Sequence, residues 1–131
     1  KSNIEKRKTK FNAFCFTLKG DKHDLPLYMG ESILNQNKNF KIFNLGSNLP
    51  VSDFIKISKK IKPEIIFVSL IFIENIKKVR NEFNSLCKTF DQTDTKIFFR
   101  GRGMQDINLK YKKCIKLESF KDFSFYISQN Y

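Results

Sequence analysis

The sequence predicts one doubly wound α/β domain built on a parallel sheet, and three observations carry that prediction. Short apolar runs alternate with amphipathic runs five times along the chain, the pattern of repeated strand–helix units. The segments between them are brief and hold Gly, Pro, Asn and Asp, the residues that turns use. The most apolar stretch, Ile-Ile-Phe-Val-Ser-Leu-Ile-Phe within Glu64 to Phe72, falls in mid-chain. A strand buried on both faces belongs there.

Phe11 to Leu18 is a short aromatic run and reads as the first strand. After the loop Gly20 to Pro26, the residues Leu25, Tyr28, Met29 and Ile33 recur at helical spacing. They are expected to form the inner face of a helix starting near Asp24, with Pro26 tolerated in its first turn. Phe40 to Leu45 is the second strand, closed by Gly46-Ser47-Asn48. Pro50 opens a second helix with Val51, Phe54, Ile55, Ser58 and Ile61 inward, and Lys62-Pro63 ends it. Glu64 to Phe72 supplies the central strand. Ile76, Val79, Phe83, Leu86, Cys87 and Phe90 then form one stripe of a long helix. Asp91 to Thr95 turns the chain into a fourth strand, Lys96 to Arg100, followed by Gly101-Arg102-Gly103. A short helix is expected over Met104 to Tyr111 and a fifth strand over Cys114 to Leu117. Ser119 caps a last helix with Phe120, Phe123 and Ile127 inward. Five strands and five helices joined this way specify a flavodoxin-like sheet in the order 2-1-3-4-5.

At 131 residues the chain is one domain, long enough to bury a core without staples. It opens on Lys1 rather than Met, so a fragment or a processed chain is expected. The division is a basic linker over 1–10, leading from an upstream region, and the folded domain over 11–131. Cys15, Cys87 and Cys114 fit neither a zinc spacing nor a disulfide framework. They read as buried small hydrophobes in a reducing cytoplasm. No run has the length of a membrane span and no signal-peptide pattern opens the chain. The formal net charge of +12 invites a nucleic-acid partner. The excess is nearly all lysine, with Arg only at 7, 80, 100 and 102, whereas phosphate and base recognition favour arginine's fork.

In such a sheet, ligands sit at the carboxyl ends of the strands. The loops there bring together Asp21 and His23, then Ser69, then Arg100, Gly101, Arg102 and Gly103. His23 is the only histidine in the protein. An imidazole whose second nitrogen is held by a carboxylate is a fixed tautomer, suited to ligate a metal or move a proton. A solvated loop histidine is the plain alternative. Arg100 and Arg102 before a helix suit a phosphate or nucleotide, unless they only pair with Asp21, Asp24 or Asp106. A phosphoacceptor receiver would need an Asp where Ser69 stands, and a flavodoxin would need a Ser/Thr-Gly-rich loop after the first strand. No nucleophile–base pair suggests a hydrolase, and the chain is expected not to be an enzyme.

Asp21-Lys22-His23-Asp24-Leu25-Pro26 resembles the Asp-x-His-x-x-Gly motif of cobalamin-binding domains, placed as in that family between the first strand and first helix. The resemblance continues through Phe40 to Asp53, through Ser69-Leu70-Ile71 at the family's Ser-x-Leu segment, and to Ile97 to Gly101 at its Gly-Gly strand end. It spans roughly Phe11 to Met104 with the three motifs in order. It implies that cobalamin (adenosylcobalamin or methylcobalamin) is bound in the His-on mode. His23 would ligate the cobalt, Asp21 would hold the far side of the imidazole, and Ser69 would complete the relay. The displaced nucleotide tail would run past Ser69 and Gly101. The nearest-looking subgroup is the sensory domain of MerR-type transcription regulators, which implies a light- or cobalamin-responsive regulator with DNA held by an upstream domain; self-association is a separate expectation, carried by the cofactor-free alternative below. The sequence departs from the family at Pro26, where its motif has Gly, and at Arg100, where its pair has the first Gly. These departures favour the competing expectation of a cofactor-free domain acting through protein contacts.

Overall fold

The computed structural model of the protein describes residues 10–71, 75–102 and 111–131. Five strands form one sheet: β1 (Phe11–Leu18), β2 (Phe40–Leu49), β3 (Ile65–Ser69), β4 (Lys96–Arg100) and β5 (Cys114–Lys116). Their order is β2-β1-β3-β4-β5 and every pairing is parallel. The helices are α1 (Leu25–Asn35), α2 (Val51–Ser58), α3 (Ile76–Phe90) and α4 (Phe120–Asn130). The flavodoxin-like topology is therefore as expected. Most of the expected short helix over 104–111, with Gly103 and residues 1–9 of the basic segment, lies outside the described residues.

Alternation along the strands divides the core into two layers. Phe14 and Phe16 of β1, Ile66 and Val68 of β3, and Ile97 and Phe99 of β4 meet Val51 and Phe54 of α2 and Phe83 and Leu86 of α3. Ala13, Cys15, Ile65, Phe67 and Phe98 face the other way, against Leu27 and Leu34 of α1 and Phe123 and Ile127 of α4. Aromatic rings fill both layers. Phe54 lies 4.6 Å from Phe16, and Phe67 stacks on Phe123 at 5.1 Å. The three cysteines are buried and free. Burial, helped by Glu31, pushes the Cys15 thiol up to about 12. Cys87 is also held above its ordinary value, by a hydrogen bond with Cys114 and by burial.

Three expectations about these elements need correction. The inner stripe of α1 is Pro26, Leu27, Gly30 and Leu34. Leu25, Tyr28 and Met29, expected inside, are 68%, 58% and 43% exposed. Gly30 explains the phase: a Cβ there would fall 2.9 Å from the Phe67 ring, so the helix turns its glycine to the sheet and seats closely. β2 does not stop at Leu45 but runs to Leu49. Its register with β1 shifts on both sides of the Phe16–Gly46 pair, so Gly46 is absorbed as an irregularity inside the strand rather than ending it. α2 stops at Ser58, short of Lys62-Pro63, with the Ser58 hydroxyl donating back to the Ile55 carbonyl at 2.7 Å.

Candidate functional site

At the carboxyl edge of the sheet, the chain leaves β1 through a tight turn. Gly20 takes φ +102°, a conformation open to glycine. The Asp21 N–H then donates to the Leu18 carbonyl at 3.1 Å. Two residues that the sequence did not single out hold this turn. The buried Thr17 hydroxyl donates to the Asp21 carbonyl at 2.6 Å and accepts from the Asn48 N–H at 2.7 Å. Asn48, itself at φ +61°, accepts from the Gly20 N–H at 2.7 Å. The end of β2 thus fastens the loop after β1. Asn is the non-glycine residue that most readily enters that conformation, and Gly46-Ser47-Asn48 was the signal available for it.

The Asp21 side chain is buried and accepts three hydrogen bonds. Oδ1 accepts from the His23 N–H at 2.9 Å and pairs with His23 Nδ1 at 2.6 Å, while Oδ2 accepts from the Ile71 N–H at 2.6 Å. A carboxylate used as acceptor at both oxygens fixes the imidazole proton on Nδ1. The other ring nitrogen, Nε2, is then a lone-pair donor. The His23 side chain is 54% exposed and Asp21 is not. The pair therefore joins a rigid buried anchor to an accessible basic nitrogen. Ile71, placed in the Ser69-Leu70-Ile71 segment without a role, gives Asp21 its backbone N–H, which leaves no mark in side-chain patterns.

Ser69 is fully buried and its hydroxyl has no hydrogen-bond partner among the described residues. It sits in register between Thr17 of β1 and Arg100 of β4. By alternation all three share the face that α1 and α4 cover. The Ser69 hydroxyl does not join the Asp21–His23 pair; the partners of the Asp21 oxygens are Ile71 and His23. Nor does Asp21 pair with Arg100 or Arg102. The Arg100 guanidinium lies over the Phe120 ring, 4.4 Å from its centroid, and its buried Nε has no partner among the described residues. Gly101, at φ +125°, is a glycine for an internal reason: a Cβ would fall 2.3 Å from the Leu70 carbonyl oxygen. Leu70 in turn donates its N–H to the Arg100 carbonyl at 3.1 Å.

Among the clefts at this edge, two border Arg100. One, of about 610 Å³, is lined by His23, Pro26, Met29, Ile71, Arg100 and Phe120 among others, and Ser69 is not in its wall. The second, of about 480 Å³, is polar and lined by Arg100, Gly101, Arg102, Lys116, Leu117 and Glu118. Among the described residues, no group of three or more His, Cys, Asp and Glu could hold a metal ion. Metal chemistry at this edge would use His23 as the single protein ligand.

Fold and edge together define a class: a doubly wound α/β domain presenting one carboxylate-anchored histidine at its strand ends. No family model and no curated protein matches the sequence. Solved structures do match. The chain is similar to a cobalamin-binding protein from Desulfitobacterium hafniense DCB-2, with TM-score 0.69 and 16% identity over 92% of this chain and 58% of that one. It is similar to the methanol:cobalamin methyltransferase complex MtaBC of Methanosarcina barkeri, with TM-score 0.71 and 16% identity over 92% and 46%. A monomethylamine corrinoid protein of Methanosarcina barkeri gives TM-score 0.70 and 18% identity over 94% and 59%. The chain spans about half to three-fifths of the length of these proteins. At such identities the likeness establishes the fold, and function must be argued from the site.

Proposed function

We propose that this chain is a cobalamin-type corrinoid-binding sensory domain, with His23 as the protein ligand to cobalt. One observation carries the reading: a buried carboxylate holds Nδ1 of an exposed imidazole and leaves Nε2 free to ligate. A ligating histidine needs that arrangement, because the partner on the far nitrogen fixes both ring orientation and basicity. The names of the three structures given above lend support, since those three are described as cobalamin or corrinoid proteins. The donor set, one carboxylate-anchored imidazole, would fit a metal-bearing group that asks a single ligand from the protein.

Bound there, a corrinoid supplies a cobalt–carbon bond whose breakage by light or loss to a partner can be sensed. The chain's own part is to orient His23, through Asp21, and to tie that orientation to β3 through Ile71 and to β2 through Thr17 and Asn48. We read the domain as regulatory rather than catalytic. Its place in a MerR-like regulator, with DNA contacted by an upstream domain, is supported by the basic composition of residues 1–10.

The test is a titration with hydroxocobalamin followed by visible absorption. Binding with an imidazole-ligated cobalt spectrum is expected, and His23→Ala should abolish that spectrum. A wild-type protein that leaves the spectrum unchanged sinks the reading. A second reading, a cofactor-free domain working through protein contacts, is favoured by the sealed Ser69 and by Arg100 lying over Phe120. It predicts no spectral change and no effect of His23→Ala on self-association.

A further inference from the structure

We infer that the domain takes a corrinoid without a nucleotide tail in preference to cobalamin itself. This rests on the reading of His23 as cobalt ligand. Cobalamin carries its own benzimidazole base, joined to the corrin edge through a ribose phosphate. When a protein imidazole takes the lower cobalt position, that base and sugar phosphate need room on the protein below the ring.

Among the described residues, the way inward between the strand ends on the face covered by α1 and α4 is closed, although the loop surface outside it is open. Beside His23 that surface is the open cleft of about 610 Å³, and Arg100 and Phe120 form its wall. Beyond them the layer is filled with rings. Phe67 stacks on Phe123 at 5.1 Å and lies 5.9 Å from Phe120. Gly30 presses on the same ring so closely that even a methyl group would fall 2.9 Å from it. Ser69, at the level where a tail entering between the strand ends would pass, is fully buried and does not line the cleft. Protein interiors packed in this way admit a bicyclic base only by displacing side chains. The Arg100 guanidinium lies 4.4 Å from the centroid of the Phe120 ring, so the two side chains close this wall together. A corrinoid without the tail asks only for the loop surface, where His23 stands out.

The experiment compares aquocobalamin with aquocobinamide, its tail-free counterpart, by absorption and calorimetric titration of the whole chain. A tail-free corrinoid also has no base of its own competing with His23, so the ratio alone is not decisive. The decisive comparison uses Arg100→Gly, Arg100→Ser, and Arg100→Gly combined with Phe120→Ala, each checked by thermal unfolding without ligand. Cobinamide is expected to bind the wild type at least about tenfold more tightly than cobalamin. Opening the wall should strengthen cobalamin binding about tenfold and leave cobinamide binding within about twofold. Cobalamin binding the wild type as tightly as cobinamide, or a ratio unmoved in every folded variant, overturns this inference alone. Failure of both corrinoids to bind the wild type overturns it together with the reading of His23.

Discussion

The backbone N–H of Ile71 donates to Asp21 Oδ2 at 2.6 Å, while Oδ1 of the same carboxylate meets His23 Nδ1 at 2.6 Å. The loop after β1 and the chain leaving β3 are therefore one hydrogen-bonded unit, with His23 set by both. Asp21→Asn tests that unit with almost no change of shape. An amide has one acceptor oxygen, so either Ile71 or His23 loses its partner in a buried place. Loss of one hydrogen bond to a charged group costs about 1.5–3 kcal/mol. We expect the urea midpoint to fall accordingly and the ¹⁵N shifts of the His23 ring to show mixed tautomers. A midpoint within error of wild type would show that Asp21 is not what ties the edge together.

The phase of α1 gives a second prediction. Leu27 is fully buried and Leu25 and Tyr28 are mostly exposed. Leu27→Ala should therefore cost about 2–5 kcal/mol, in the range for large-to-small changes in a core. Leu25→Ser and Tyr28→Ser should stay within about 0.5 kcal/mol, as surface changes do. Equilibrium unfolding of the three variants decides between this phase and the stripe that the sequence suggests, since the latter reverses the ranking.

That reversal shows where the sequence was legible and where it was not. β1, β4 and α3 could be read because their hydrophobic residues largely define the buried set; only Ile76 of the expected α3 stripe, in the helix's first turn, lies exposed at 39%. α1 could not, because Leu25, Leu27, Tyr28, Met29, Ile33 and Leu34 allow two stripes and the choice between them is made by Gly30. A glycine adds nothing to a hydrophobic count, yet its contact with Phe67 sets the helix's rotation. The same holds at the site. Asp21 and His23 were visible as side chains of telling chemistry at a telling spacing. Ile71 and Asn48 fell within segments the sequence marked, but they act through a backbone N–H and ordinary turn chemistry, so their roles did not show, and nothing marked Thr17. The stack of Arg100 on Phe120 joins residues twenty positions apart on elements whose adjacency only the sheet order supplies.

The glycines offer a third prediction, because two with positive φ differ in what surrounds them. A Cβ at Gly20 would meet nothing within 4 Å, whereas one at Gly101 would fall 2.3 Å from the Leu70 carbonyl oxygen. Gly20→Ala should then cost only the conformational strain of a non-glycine residue, about 1–2 kcal/mol. Gly101→Ala adds a backbone clash to that strain, so β4 must part from the Leu70 segment. We expect a loss of about 3 kcal/mol or more, at the exceptional end for single substitutions. Similar thermal unfolding of the two variants would contradict the contact between Gly101 and Leu70.

A fourth prediction concerns alkaline pH. The Cys15 thiol, buried between β1 and α1, is raised from 9.0 to about 12, mainly by burial and further by Glu31. The Tyr131 phenol is raised from 10.0 to about 12 by burial, with smaller contributions from Tyr126 and Glu64. For both groups the folded state keeps a proton that the unfolded chain releases. Where the unfolded state binds fewer protons, stability falls as pH rises. The contribution of each is therefore whole below its unfolded value, near 9 for Cys15 and 10 for Tyr131, and is lost as pH climbs toward about 12. Urea midpoints should fall progressively once pH passes 9. Cys15→Ala, compared with its own value at neutral pH, should fall less steeply between 9 and 10, before Tyr131 begins to act. Chemistry at the thiol should follow the same order. A thiol disulfide reagent at pH 8 is expected to leave Cys15 unmodified in the folded protein and to react fully in denaturant. Rapid labelling of the folded protein at that pH would mean that β1 opens toward α1 far more readily than its packing allows.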